Sequence, residues 1–448
     1  EYCEGLKALK LPKYVKSLDY YTFSNCLSLE KITFPEELLD IGDGAFSYCI
    51  SLESIALPDS VVTIGYSAFN ECTSLSDVTL SESLENLYSN AFDNTPYYEN
   101  KAENDNGVIY LDGHIVDTED DVTGKVIIRD GTKSVSEDAF RYQNLTELVV
   151  PSSVKKIGNW AFYSCEALCK VTLNDGIQKI GRDAFSFCSA LEEITVPGSV
   201  KVIEERTFNG CSSLTSVTLN EGVEELYCSF EDCENISSIS LPDSLNFIPT
   251  YLLRDSEFYK NEANWENGIL QIGKHILAGE NIEGDYVVPE GTKTIGSFGR
   301  NEELTSITIP DSVTSIGSQA FYNCAGLTDI FIGESLQSFG SYSSFRDCSG
   351  VKEITFTPAV VPSYSYSAVA YLDNLERIFV PAAAYDSYVE ALSGAVSSSV
   401  VFSTDYISAR LHNLKADKVY SKTAVLSWTP HSSSRVIGYY VFRDGEKI

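Results

Sequence analysis

Apolar and polar residues follow a fixed order along most of the chain, and the order repeats. Residues 52–72 read LESIALPDSVVTIGYSAFNEC: an apolar triplet (Leu52, Ile55, Leu57), a turn at Pro58, Asp59 and Ser60, a second apolar pair (Val61, Ile64), Gly65, then Ala68, Phe69 and Cys72. One unit upstream the same order runs through Leu29, Ile32, Phe34, Pro35, Leu38, Ile41, Gly42, Ala45, Phe46 and Cys49, a shift of 23 residues. Such a period belongs to a solenoid, in which one supersecondary unit cannot bury its apolar face alone and stacks on copies of itself. Alternation from Leu52 to Leu57 predicts a short strand with Ile55 and Leu57 in the core and Ser54 and Ala56 outside. Pro58 ends it, because proline cannot donate to the ladder. Val61, Ile64, Ala68 and Phe69 are then laid over the opposite side of the coil, so one unit closes one turn.

Units start at Leu6, Leu29, Leu52 and Leu75, at Leu145, Leu168, Leu191, Leu214 and Ile236, and at Leu304, Leu327, Val351 and Leu375. Two more, lacking a normal opening, lie at 126–128 and 287–289, which makes fifteen. At about 4.8 Å per rung the array is expected to be on the order of 70 Å long. The two interruptions are alike. Each runs from an aromatic pair (Tyr97 and Tyr98, Phe258 and Tyr259) through Asn-Gly to Gly-Thr-Lys, and Asn106 and Asn267 lie 161 residues apart, so a block of units has been duplicated. Inside them GVIYLDGHIV and GILQIGKHIL read as hairpins turning at Asp112-Gly113 and around Gly273-Lys274. They are expected to project as β-flaps near 97–125 and 258–286, and insertions of this kind often lie on the binding side.

After Leu375 the pattern decays. Residues 381–392 read as a short amphipathic helix that caps the last coil of a solenoid spanning 1–392, and 393–404 read as a small, Ser-rich linker. From 405 to 448 the texture changes to a strand with Val425, Leu426 and Trp428 and another with Tyr439, Tyr440 and Val441. This segment resembles the first half of a fibronectin type III domain, a β-sandwich. Half a sandwich would expose its core, so the natural protein is expected to continue past Ile448; a start in mid-repeat without Met likewise suggests a processed or trimmed product.

The unit itself carries a second resemblance. LPDSVVTIGYSAFNECTSL (57–75), VPSSVKKIGNWAFYSCEAL (150–168) and IPDSVTSIGSQAFYNCAGL (309–327) are similar to the BspA-like leucine-rich repeats of bacterial surface proteins, over roughly 1–381. The resemblance implies a right-handed leucine-rich-repeat solenoid in an exported bacterial protein, extracellular or held at the cell surface. Relatives of this type are associated with adhesion to host components, other cells or matrix.

Charge bears on partners. With 64 acidic and 32 basic residues the net charge is −32, which repels nucleic acid and anionic lipid and favours a basic, cationic or neutral partner. The same charge also serves solubility. No run approaches 18 apolar residues, so no membrane insertion is expected. Ten of twelve cysteines hold one repeat position (Cys3, Cys26, Cys49, Cys72, Cys165, Cys188, Cys211, Cys233, Cys324, Cys348), leaving Cys169 and Cys228. Rung spacing would permit a vertical disulfide by Cα distance, but neighbours in a continuous stack have no reason to pair off, and a ladder of buried free thiols is expected.

Catalysis has little foothold. His114 and His275 occupy equivalent flap positions, His412 and His431 lie in the C-terminal segment, and no H-E-x-x-H, G-x-S-x-G or Walker A run occurs. No enzyme activity, cofactor or metal is assigned; Glu103-Asn104-Asp105 and Glu119-Asp120-Asp121 are oxygen-rich loops that leave calcium open, without EF-hand spacing. The outward strand position is Thr33, Ala56, Thr79, Val149, Thr172, Thr195, Thr218, Ser240, Thr308, Phe331, Thr355 and Phe379. A Thr ladder supports a sheet. Phe331 and Phe379 break it beside Tyr364, Tyr366 and Tyr371, marking either a contact patch for protein or sugar or contacts that cap the array. The expected function is non-catalytic binding of a host or neighbouring-cell protein or glycan by a monomer, through the strand face or the flaps. The alternatives are a structural spacer and an ancillary binding region of a larger extracellular enzyme.

Overall fold

Each repeat folds into one coil with three sides, for reasons visible in residues 52–75. Ser54–Ala56 form a strand with Ile55 buried between two exposed neighbours. The chain turns at Pro58, where Val61 N–H donates to the Pro58 carbonyl (3.1 Å), and Thr63–Ile64 form a two-residue second side. The third side runs from Gly65 to Cys72 without regular strand or helix. The apolar set Leu52, Val61, Ile64, Ala68, Phe69, Cys72 and Leu75 is wholly buried inside the coil.

The computed structural model describes residues 3–228 and 230–404, and beyond them the backbone of His412–Val419, Ala424–Thr429, Phe442–Arg443 and Glu446–Lys447. The described strands make a parallel β-solenoid of about 17 turns. Contacts divide the chain into two units, Glu1–Ser244 with Asp255–Lys260, and Leu245–Arg254 with Asn261–Ile448. In both, the long strands pair in parallel with those of the next coil, and so do the two-residue strands.

The third side is the least regular and the most repetitive. N–H groups of the stacked Phe, and of the residues two before and two after it, donate to the next coil: Gly44 to Tyr66, Phe46 to Ala68 and Tyr48 to Asn70, at 2.7–2.9 Å. Residues between them bond within the coil, so every second peptide must be turned along the stack. Positions flanking the Phe achieve this with positive φ, as at Ser67 (51°) and Glu71 (60°) around Phe69 or Trp160 (51°) and Ser164 (52°) around Phe162. The Phe rings form columns: Phe23, Phe46, Phe69 and Phe92 stack at 5.1–5.3 Å. Phe140, Phe162, Phe185, Phe208 and Phe230 do so at 4.9–6.1 Å.

The Ile-Gly pair of the motif has a steric cause. A Cβ built on Gly158 would lie 2.5 Å from the Glu137 amide nitrogen of the preceding coil, and one on Gly65 would lie 2.8 Å from that of Asp43. The cysteine column also has one. Sγ donates to the carbonyl of the Phe one coil back, from Cys72 to Phe46 (3.1 Å), Cys165 to Phe140 (3.0 Å), Cys211 to Phe185 (3.3 Å) and Cys348 to Phe321 (2.9 Å). None of the twelve cysteines forms a disulfide among the described residues; Cys3 and Cys169 are exposed and the other ten buried.

The flaps differ from expectation. Val108–Leu111 and His114–Thr118 form the hairpin, turning at Asp112 (φ 48°) and Gly113 (φ 86°), but His114 and Ile115 pair in parallel with Ser134 and Val135 of the next coil. The second strand of the insertion is therefore a rung of the short-strand sheet and not a projection. Glu103–Asp105 adds a third, antiparallel strand through Asn106-Gly107, both residues at positive φ. Residues 265–279 repeat this arrangement, with His275 and Ile276 paired to Thr294 and Ile295.

The C-terminal end also differs. Tyr385–Leu392 is the expected helix, with Tyr388 and Leu392 buried. It does not close the array, because Val401–Ser403, inside the stretch read as a linker, pairs in parallel with Arg377–Phe379 and adds another rung. The fibronectin type III resemblance at 405–448 lies outside the described residues, apart from two antiparallel pairs, His412–Val419 with Ala424–Thr429 and Phe442–Arg443 with Glu446–Lys447.

Candidate interaction surface

Parallel pairing in register lines outward side chains into columns along the long-strand face. In the first unit one column is Lys125, Glu147, Lys170, Glu193 and Ser216, of alternating sign. Lys125 Nζ lies 2.9 Å from Glu147 Oε1, and that bond, with Lys170 beside it, holds the Glu147 carboxyl below its usual range. In the second unit the matching column is Asp285, Ser306, Asp329, Glu353 and Arg377. The neighbouring column there is Val287, Thr308, Phe331, Thr355, Phe379 and Ser403. Phe331 and Phe379 thus share a face, both half-buried, one rung to either side of Thr355 and about 10 Å apart by strand spacing.

The three tyrosines singled out with them are elsewhere on the coil. Ser363 bridges to Ser338 on the short-strand side, so Tyr364, which follows it, and Tyr366 in the helix Ser365–Val369 belong to the third side. Tyr366 donates from its hydroxyl to the Gly394 carbonyl (3.0 Å). Tyr371 occupies a positive-φ position two rungs beyond Asn323, with Arg346 5.9 Å from its ring centre. All three are exposed, but the strand face holds only the two phenylalanines. The seven residues between Tyr371 and Phe379 carry the chain around a corner of the coil.

A further aromatic group escaped the sequence reading. Tyr142, Tyr163 and Phe187, on three successive coils, form an edge-to-face chain with centroids 5.8 and 5.5 Å apart. The Arg141 guanidinium lies 4.9 Å from the Tyr142 ring and 5.0 Å from that of Tyr163, tied to Asp138 at 3.0 Å. The signal was present: the position two residues after the stacked Phe is polar in most coils and aromatic at Tyr48, Tyr142 and Phe187. Gly210, one coil on from Phe187, leaves space for its ring, since a Cβ there would lie 2.6 Å from it.

The flaps show how their polar residues are used. His114 Nδ1 meets Ser134 Oγ at 2.8 Å and His275 Nδ1 meets Thr294 Oγ1 at 2.9 Å, both rings buried. Burial, with Lys133 nearby, lowers the His114 pKa to about 4, so its ring is neutral. Glu103 and Asp105, in one of the loops left open for calcium, instead bracket Arg129 at 2.7 and 2.8 Å. Glu119, in the other, accepts from Asn104 at 2.6 Å. Asp93, Tyr98 and Asp117 line a small crevice where flap meets coil, and burial raises both carboxyls above their usual range. Among the described residues no group of three or more His, Cys, Asp or Glu is placed to hold a metal, and no helix is long and apolar enough to cross a membrane.

Six copies of the BspA type leucine rich repeat region match residues 1–110, 133–260 and 270–394. Among solved structures the chain is similar to a leucine-rich repeat protein from Bacteroides ovatus, 20% identical over 90% of this chain and 84% of that one, with a TM-score of 0.26. It is similar to a leucine rich cell surface protein from Faecalibacterium prausnitzii, 19% identical over 66% and 98% of the two chains (TM-score 0.27). A pneumococcal vaccine antigen is 21% identical over 88% and 78% (TM-score 0.24). No curated protein matches the chain.

Proposed function

The chain belongs to the BspA-type leucine-rich repeat family, and from that premise we propose that it is a non-catalytic binding protein, outside the cell or on its surface, that recognises a protein or glycan of a host or neighbouring cell. One observation supports the reading above others: side chains on the long-strand face keep register from coil to coil, so residues far apart in sequence form continuous columns. Rigid elements hold contact groups more closely than loops do, and such a sheet can present several to one partner at once. The half-buried Phe331 and Phe379 are the anchors we assign to it, because aromatic side chains supply large contact area at low conformational cost.

The test is a binding screen of the purified chain against immobilised matrix proteins, mucins and a glycan array, at low and high salt. Saturable binding to one class, weakened about tenfold or more by Phe331→Ala with Phe379→Ala, is the expected result. Absence of binding at micromolar concentration across all three would leave a spacer and overturn the proposal.

A further inference from the structure

A few rungs on the short-strand side of the first unit gather lysines, in a chain that is strongly acidic as a whole. Backbone bonds stack Lys133 under Lys155 (2.8 Å), and register stacks Ser134, Lys156 and Lys179 beside them. Lys201 continues on the fourth coil, since Val202 pairs with Lys179. Five lysines thus fall on four consecutive rungs of one side, about 14 Å in length, of a chain whose net charge is −32.

The outer two are neutralised. Lys179 Nζ lies 3.3 Å from Glu204, and Lys201 Nζ lies 2.9 Å from Glu224. Lys133, Lys155 and Lys156 form no ion pair among the described residues. Lys155 reaches only the Ser152 carbonyl, at 3.4 Å. Lys156 is half-buried in a cleft shared with Asn86, Tyr88, Ser134, Ser136 and Asn159. Two acids also line that cleft: Glu85, and Glu137, which is 9% exposed and accepts from the Asn159 amide at 3.4 Å. The Lys156 ammonium thus has acids as well as neutral groups around it but no ion pair, and Lys133 and Lys155 stand exposed on the same two rungs, so a polyanion laid along these rungs meets three lysines that no carboxylate holds.

We propose that this side of the first unit binds a sulfated polysaccharide, with a sulfate group at Lys156 and neighbouring sulfates at Lys133 and Lys155. Lysine is a compact point charge with three donors, suited to tetrahedral oxyanions. Rungs recur at about the length of a sugar residue, so an extended glycan lying along the solenoid meets one lysine position per rung. The acidity of the rest of the surface confines a polyanion to this stripe, because it repels the ligand elsewhere. The site rests on the reading of the chain as an extracellular binding protein, but not on the long-strand face.

The experiment measures binding of the full chain to heparin, hyaluronan, neutral dextran and a homopolymeric RNA across a salt series. Heparin should bind in a salt-dependent way, hyaluronan and RNA at least tenfold more weakly, and dextran not at all. Lys133→Gln with Lys155→Gln, both exposed, should weaken heparin binding about tenfold, and adding Lys156→Gln should abolish it. Lys7→Gln, Lys13→Gln and Lys352→Gln together, which change net charge equally, should leave it intact. No salt-dependent heparin binding, equal loss in both sets of variants, or RNA binding as tight as heparin would each overturn the proposal. Phe331→Ala should leave heparin binding unchanged, so failure here and failure of the strand-face reading are separable.

Discussion

His114 makes fold stability depend on pH with a sign and size that can be worked out. Its ring is 1% exposed, one nitrogen meets Ser134, and the other, Nε2, is buried without a partner. In the unfolded chain the imidazole titrates near 6.5, and in the fold burial lowers that to about 4. Protonation therefore favours the unfolded chain between these values: the contribution is intact above pH 6.5 and is lost as pH falls towards 4. Linkage puts the full loss on the order of 3 kcal/mol, most of it between pH 7 and pH 4.5. Acid also relieves repulsion among the 64 carboxylates, so the comparison must be with His114→Gln, which cannot take the proton but can still bond Ser134. Urea unfolding followed by far-UV circular dichroism at both pH values gives the difference between the two proteins. That difference should move against the wild type on acidification by roughly 2 kcal/mol. Parallel curves for the two proteins, or movement in favour of the wild type, would refute the reasoning.

Phe185→Ala, which empties the middle of a column with Phe162 at 5.1 Å and Phe208 at 5.8 Å, should cost about 3–5 kcal/mol in urea unfolding; the exposed Tyr142→Ala should cost under about 1 kcal/mol. Gly158→Ala drives a methyl against the Glu137 amide nitrogen and should destabilise by about 1–3 kcal/mol, read as a lowered thermal midpoint. Burial, with Asp120 adding to it, raises the Asp117 carboxyl, so the protonated form suits the fold and that advantage is lost as pH rises through its titration. Asp117→Asn should accordingly raise the thermal midpoint at pH 7 and change it little at pH 3. A thiol reagent should react with two cysteines in the native protein, Cys3 and Cys169, and with all twelve in denaturant; a reductant should not shift the thermal midpoint.

Local pattern is enough to specify the coil. A 23-residue period with apolar residues at fixed places leaves each unit unable to bury its own face, so stacking, the inward set Ile55, Leu57, Ile64 and Phe69, and the outward Thr positions all follow from local pattern. The flap histidines, the hairpin turn at Asp112-Gly113 and the in-register cysteines were legible for the same reason, since duplication marks them. Which neighbour each of these meets depends on how the coils stack. The thiol acceptors are carbonyls one coil back, the flap strand enters the sheet because Ile115 and Ser136 bond there, and the Ser-rich 393–404 supplies a rung because Ile378 offers an open edge to Phe402. Tyr371 and Phe379 part company, and Lys133, Lys155 and Lys156 come together, through the same geometry. One coil returns the chain to within a strand spacing of its start, so proximity in this molecule is set by the remainder after division by the repeat and not by distance along the chain.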